Sequence, residues 1–117
     1  MMNRDLASLD RALALERVGG DEELLREIAV LFLEECPQMM SEIQSAVATG
    51  NAIALERTAH SLKGSVGNFG AHQAFRAAAR LEAIGRSRDL SSVSQAWADL
   101  AAAMEALCPA LSELQAA

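Results

Sequence analysis

Apolar residues along the chain recur at steps of three and four, and no stretch alternates apolar and polar residues with a period of two; this predicts helices and no strands. A short first helix, about residues 6–18, carries Leu6, Leu9, Leu13 and Val18 on its apolar side and ends at Gly19-Gly20. Asp21 reads as the N-cap of a second helix, with Glu22 and Glu23 favourable in its first turn. That helix, about 21–48, holds a stripe of Leu25, Ile28, Phe32, Cys36, Met39, Ile43 and Val47. Because the stripe stays in register across Pro37, a kinked single helix is expected there rather than two. Thr49-Gly50-Asn51 supplies the stop and the next cap.

The third helix, about 52–69, buries Leu55, Ala59, Leu62, Val66 and Phe69, and Gly70 fits the turn that follows. A fourth, about 71–87, buries Ala74, Ala77, Ala78, Leu81 and Ile84. Ser92 to Gln95 reads as a capping box for the last helix, about 92–114, with Val93, Trp97, Leu100, Met104, Leu107, Leu111 and Leu114 inward and Pro109 expected to kink or fray its end. The fold expected is all-α: an antiparallel four-helix bundle with a short additional N-terminal helix covering one end, as one domain over residues 1–117.

Charge narrows the partners. Ten Lys and Arg stand against sixteen Asp and Glu, for a net charge of −6. Nucleic acid is held by clustered cations, so it is not expected as a ligand. The longest charge-free run, 43–55, is 13 residues and includes polar side chains, which is too short for a membrane span. No direct membrane binding is expected, and a cytoplasmic monomer is. Cys36 and Cys108, distant in the chain and outside any metal-ligand spacing, read as small reduced hydrophobes in a reducing compartment.

The chemistry concentrates in Thr58-Ala59-His60-Ser61-Leu62-Lys63-Gly64-Ser65-Val66-Gly67-Asn68-Phe69-Gly70-Ala71. At roughly 100° per residue, His60, Lys63, Gly64 and Gly67 share a stripe centred on the order of 120–130° from the Leu55/Leu62/Val66 core line. Each interior glycine costs about 1 kcal/mol relative to Ala. Gly64 faces away from the core and cannot serve bundle packing, so something external is expected to approach it; Gly67 lies between the two faces. A solvent-facing imidazole beside Lys63 suits phosphoryl acceptance: one ring nitrogen is the nucleophile while the other keeps its proton, and the ammonium attends the phosphoryl oxygens. Glu82, at the edge of the fourth helix's buried stripe, is placed to orient that ring.

His60-Ser61-Leu62-Lys63-Gly64-Ser65 followed by Gly67-Asn68-Phe69-Gly70-Ala71 resembles the signature of the histidine-containing phosphotransfer (HPt) domains of bacterial phosphorelays. The likeness extends to Gly19-Gly20-Asp21, to Phe32-Leu33-Glu34-Glu35-Cys36-Pro37 and to Leu81-Glu82. It implies that His60 is phosphorylated, that Lys63 stabilises the phosphoryl group, that Gly64 gives the partner access and that Glu82 hydrogen-bonds the imidazole. It further implies receiver domains of a hybrid sensor kinase or response regulator as partners, which bring their own Asp and Mg²⁺, with no cofactor on this chain. Such a chain is a phosphohistidine carrier and not an enzyme. Lys63-Gly64-Ser65 is no phosphate loop, since the glycine-rich run and strand that precede the lysine in such a loop are missing.

Plainer readings exist for each residue. His60 taken alone is an ordinary surface histidine; its neighbours move the reading to function. Arg57 reads as a solvated charge and His72 as structural. Glu82 has Arg86 at i+4 as an alternative partner, although the His60 contact is preferred. Two other functions fit the same helices: a docking module without chemistry, and a substrate domain phosphorylated by a chemotaxis-type histidine kinase.

Overall fold

The structure, a computed structural model, describes residues 8–116. Among the described residues there are five helices and no strand: α1 (Arg11–Arg17), α2 (Glu22–Thr49), α3 (Ala52–Gly67), α4 (His72–Ser87) and α5 (Val93–Ala116). The four long helices form a ring in which α2 packs on α3 and α5, and α4 on α3 and α5. The expected bundle is therefore present. Its core is filled from every helix. Leu55, Leu62, Val66, Phe69, Leu81, Leu100, Leu107 and Leu111 are fully buried, each such side chain contributing about 1.5–3 kcal/mol.

The caps follow the chemistry of the side chains. Asp21 Oδ1 accepts from the Leu24 amide at 3.0 Å and Asn51 Oδ1 from the Ala54 amide at 3.0 Å. Gly50 ends α2 in the left-handed region (φ 70°). α1 is shorter than its hydrophobic pattern implied, because Asp10 is extended (φ −116°, ψ 99°) and its carboxylate takes the Leu13 amide, so that the helix begins after it. Leu6 lies outside the described residues. The Asp10 amide donates to the Phe69 carbonyl at 2.9 Å, which pins the start of α1 to the α3–α4 turn. Gly70 makes that approach possible: at φ 61° a Cβ there would stand 2.7 Å from Asp10 Cβ.

α2 runs through Pro37 as a single helix, as its continuous apolar stripe implied. Several other expectations needed correction: α5 does not fray at Pro109 but runs past it to Ala116, held by burial of Leu111 and Leu114. The Ser92–Gln95 capping box is not made, since Gln95 Nε2 donates to Asp99 Oδ1 at 2.9 Å. α3 stops at Gly67, two residues early, and Phe69 turns inward from the following turn onto Phe32, ring centroids 5.6 Å apart. Trp97 is only half-buried at the edge of the core. Cys36 is buried on α2 and Cys108 half-buried on α5, both as free thiols.

Candidate functional site

The α3–α4 seam is the most extensive helix pairing among the described residues and carries the site. Gly85 sets its closeness. A Cβ at that position would lie 2.7 Å from the Glu56 amide nitrogen and 2.8 Å from the Ala52 carbonyl oxygen, so α4 lies directly on the α3 backbone. Three residues earlier, Glu82 projects into the same seam, 4% exposed, and its carboxylate is shared among three cationic or hydrogen-donating groups. Oε1 lies 2.7 Å from Lys63 Nζ. Oε2 lies 2.8 Å from His60 Nδ1 and 2.9 Å from an Arg86 guanidinium nitrogen. Arg86 Nε reaches back to Glu56 Oε2 at 3.1 Å, tying α4 to α3 a second time.

A buried carboxylate in this setting stays ionised. The Lys63 ammonium, donating to it, holds Glu82 below the usual carboxylate range against the opposing effect of burial, and the His60 hydrogen bond adds to the lowering. An ionised carboxylate only accepts, so His60 Nδ1 must carry the proton. In the neutral ring the lone pair then sits on Nε2. The His60 side chain is 67% exposed, and the ring edge bearing Nε2 is presented outward with no protein partner among the described residues. This is a nucleophile with its tautomer fixed from behind.

The surroundings of His60 are open. Gly64 is exposed, and a Cβ added there would meet nothing within 4 Å, in keeping with the expectation that it faces away from the bundle. Gly67 is closer to α4, its hypothetical Cβ 3.5 Å from the Phe75 ring, over which Lys63 Nζ lies 5.9 Å from the centroid. On the other side of His60 a shallow hollow of about 450 Å³ is lined by Ile53, Glu56, Arg57, Ser61 and Arg86 together with His60 and Glu82. Ile53 and Phe75 are among the few large apolar side chains left exposed, at 53% and 40%.

The structure thus brings His60, Lys63, Gly64 and Glu82 together and leaves His72 apart, exposed at the start of α4. It also removes the choice between His60 and Arg86 as the partner of Glu82, because both are bonded to one oxygen. Sequence reasoning missed the Lys63–Glu82 pair, the Glu56–Arg86 bridge and Gly85. The spacing carried part of the signal: Glu56 and His60 are four apart on α3 and Glu82 and Arg86 four apart on α4, which puts each pair on one face without fixing which faces meet, and Gly85 is a helix-interior glycine like Gly64.

Charge is unevenly divided around this seam. Residues 52–88 hold six of the ten Lys and Arg (Arg57, Lys63, Arg76, Arg80, Arg86 and Arg88) but only two of the sixteen carboxylates, Glu56 and Glu82. The α3–α4 hairpin is a cationic island on an acidic protein.

A search among curated proteins finds no match to the chain. Among solved structures, the histidine-containing phosphotransfer protein B (HptB) of Pseudomonas aeruginosa PAO1 superposes with a TM-score of 0.85 at 20% identity, covering 93% of this chain and 95% of that one. The HPT domain of a sensor hybrid histidine kinase from Shewanella superposes with the same score at 18% identity, covering 95% and 96%. At such identities the likeness is one of fold. The model of the Hpt domain family matches residues 27–116, a span that takes in all four long helices from early α2 to the end of α5 and every residue of the seam described above, and the chain therefore belongs to the Hpt domain family.

Proposed function

We propose that the phosphotransfer role in two-component signalling that goes with Hpt-family membership is carried by His60: Nε2 attacks the phosphorus of an aspartyl phosphate on one receiver domain, the aspartate carboxylate leaves, and the phosphohistidine is later attacked by the Asp of another receiver. The observation that carries this reading is the outward ring of His60, 67% exposed, whose Nδ1 is held by Glu82 at 2.8 Å. Glu82 orients the ring and offsets positive charge on it as the N–P bond forms. Lys63, at the next turn of α3, attends the phosphoryl oxygens, and Gly64 leaves room for the receiver. The Mg²⁺ such a transfer needs belongs to the receiver, and the carrier needs no cofactor of its own. No helix among the described residues is long and apolar enough to cross a membrane. The reading is of a cytoplasmic monomer that meets receivers of a hybrid sensor kinase or response regulator.

The test is transfer from a receiver carrying labelled aspartyl phosphate to the full chain. Wild type should take up acid-labile, base-stable label and His60→Gln none, with unchanged helical content. Equal labelling of the two rejects the assignment. Unaltered signalling with His60→Gln would support a docking module without chemistry.

A further inference from the structure

Arg86 shares an oxygen with the reactive ring. One of its guanidinium nitrogens donates to Glu82 Oε2 at 2.9 Å, the same oxygen that His60 Nδ1 meets at 2.8 Å, and its Nε donates to Glu56 Oε2 at 3.1 Å. The Arg86 side chain is 63% exposed, so its bridges add little to stability. It is nevertheless fixed at both ends, because the planar fork of a guanidinium holds two carboxylates at once in a set orientation. An exposed arginine tied on one side to α3 and on the other to the carboxylate behind the nucleophile is placed to act on that nucleophile.

The charges around His60 come from the two helices of the seam. α3 supplies Glu56, Arg57 and Lys63, and α4 supplies Glu82 and Arg86. Within the bonded network two carboxylates face two cations, so it is balanced when the ring is neutral and holds one surplus positive charge when the ring is protonated. Glu82 with His60 alone would pull the other way. A carboxylate at hydrogen-bond distance favours the imidazolium, whose two nitrogens both carry protons and leave no lone pair to attack phosphorus. The orienting carboxylate therefore needs part of its charge drawn off, and Lys63 on Oε1 and Arg86 on Oε2 do so.

We propose that Arg86, held in place by Glu56, is a positioning residue for the phosphoryl acceptor: it draws charge from the Glu82 oxygen that grips Nδ1, so that the ring is oriented without being protonated. The inference rests on the reading of His60 as the carrier. Glu82 decides which ring nitrogen is free, and Arg86 limits how strongly that nitrogen attracts a second proton.

The test is nitrogen NMR of the histidine-labelled full chain across a pH series, in wild type, Arg86→Gln, Arg86→Lys and Glu56→Gln, with His72 as the internal reference. Loss of a unit charge at this range should raise the protonation midpoint of the His60 ring by about half a pH unit in Arg86→Gln. Arg86→Lys keeps the charge and should stay near wild type, whereas Glu56→Gln leaves Arg86 uncompensated and should lower the midpoint. A midpoint unmoved or lowered in Arg86→Gln would overturn the proposal. So would equal movement in one direction by Arg86→Gln and Glu56→Gln, since both cut the same bridge and a merely structural role could not tell them apart. No receiver enters this measurement, so its outcome is separate from that of the carrier assignment. With a labelled receiver, Arg86→Gln should take up phosphoryl about threefold more slowly than wild type in mildly acidic buffer and at the wild-type rate in mild alkali. Slowing by the same factor at every pH would count against the proposal.

Discussion

The α3–α4 and α2–α5 seams are built from the same kind of amphipathic helix, yet they solve opposite problems. Along α3–α4, Gly85 brings two backbones into contact and a buried carboxylate is neutralised by Lys63 and Arg86 and bonded to His60. Among the described residues no ion pair crosses α2–α5, which is closed by apolar side chains. A charge can be kept inside a helix seam only when several partners reach it at once, and that requires the helices to be unusually near. The polar seam is therefore the more demanding one to build.

Separating the helices should have the largest effect. Gly85→Leu would force side-chain atoms into the Ala52–Glu56 backbone of α3 and cost about 3 kcal/mol or more in a urea titration. A loss below about 1 kcal/mol would show that the closeness of α3 and α4 is not what holds this seam.

Removing the charge while keeping the shape comes next. Glu82→Gln should cost about 1–2 kcal/mol, since its partners keep some access to water. The sign of its pH dependence follows from the lowered carboxyl. A group that titrates below its ordinary value of 4.5 in the folded protein contributes fully above that value and loses its contribution as pH falls through the lowered one. The stability gap between wild type and Glu82→Gln should thus persist down to about pH 5 and close only in stronger acid. Closure near neutrality would contradict the ionised carboxylate.

The smallest effect on folding, with the sharpest division between folding and transfer, is expected from Gly64→Ala. With helical backbone and open space the added methyl should stabilise the fold by up to about 1 kcal/mol, while crowding the approach to His60 and slowing transfer from a receiver several-fold. Faster or unchanged transfer would remove Gly64 from the docking face.

Most of this architecture was legible in the chain because it depends on local rules. Caps at Asp21 and Asn51, the stop at Gly50 and the buried stripe of α3 follow from side-chain chemistry and a 3.6-residue period. His60, Lys63 and Gly64 could be placed on one face by the same arithmetic. What stayed hidden depends on how helices meet. The Lys63–Glu82 pair and the bridge from Arg86 to Glu56 both join separate helices, and no periodicity within one helix fixes their relative height. The start of α1 was misread for a different reason: Asp10, taken as one more helical residue, spends its carboxylate on the Leu13 amide and starts the helix later.

The cationic island of residues 52–88 has one further consequence. A chain whose carboxylates lie mostly outside one cationic hairpin has a separation of charge, and an approaching body with an anionic patch feels a torque from it before any atoms touch. Encounters are pre-aligned so that the first collision tends to occur at the imidazole's end of the field. Such guidance speeds association, fades within about 8 Å at physiological ionic strength, and turns away equally acidic copies of the protein itself.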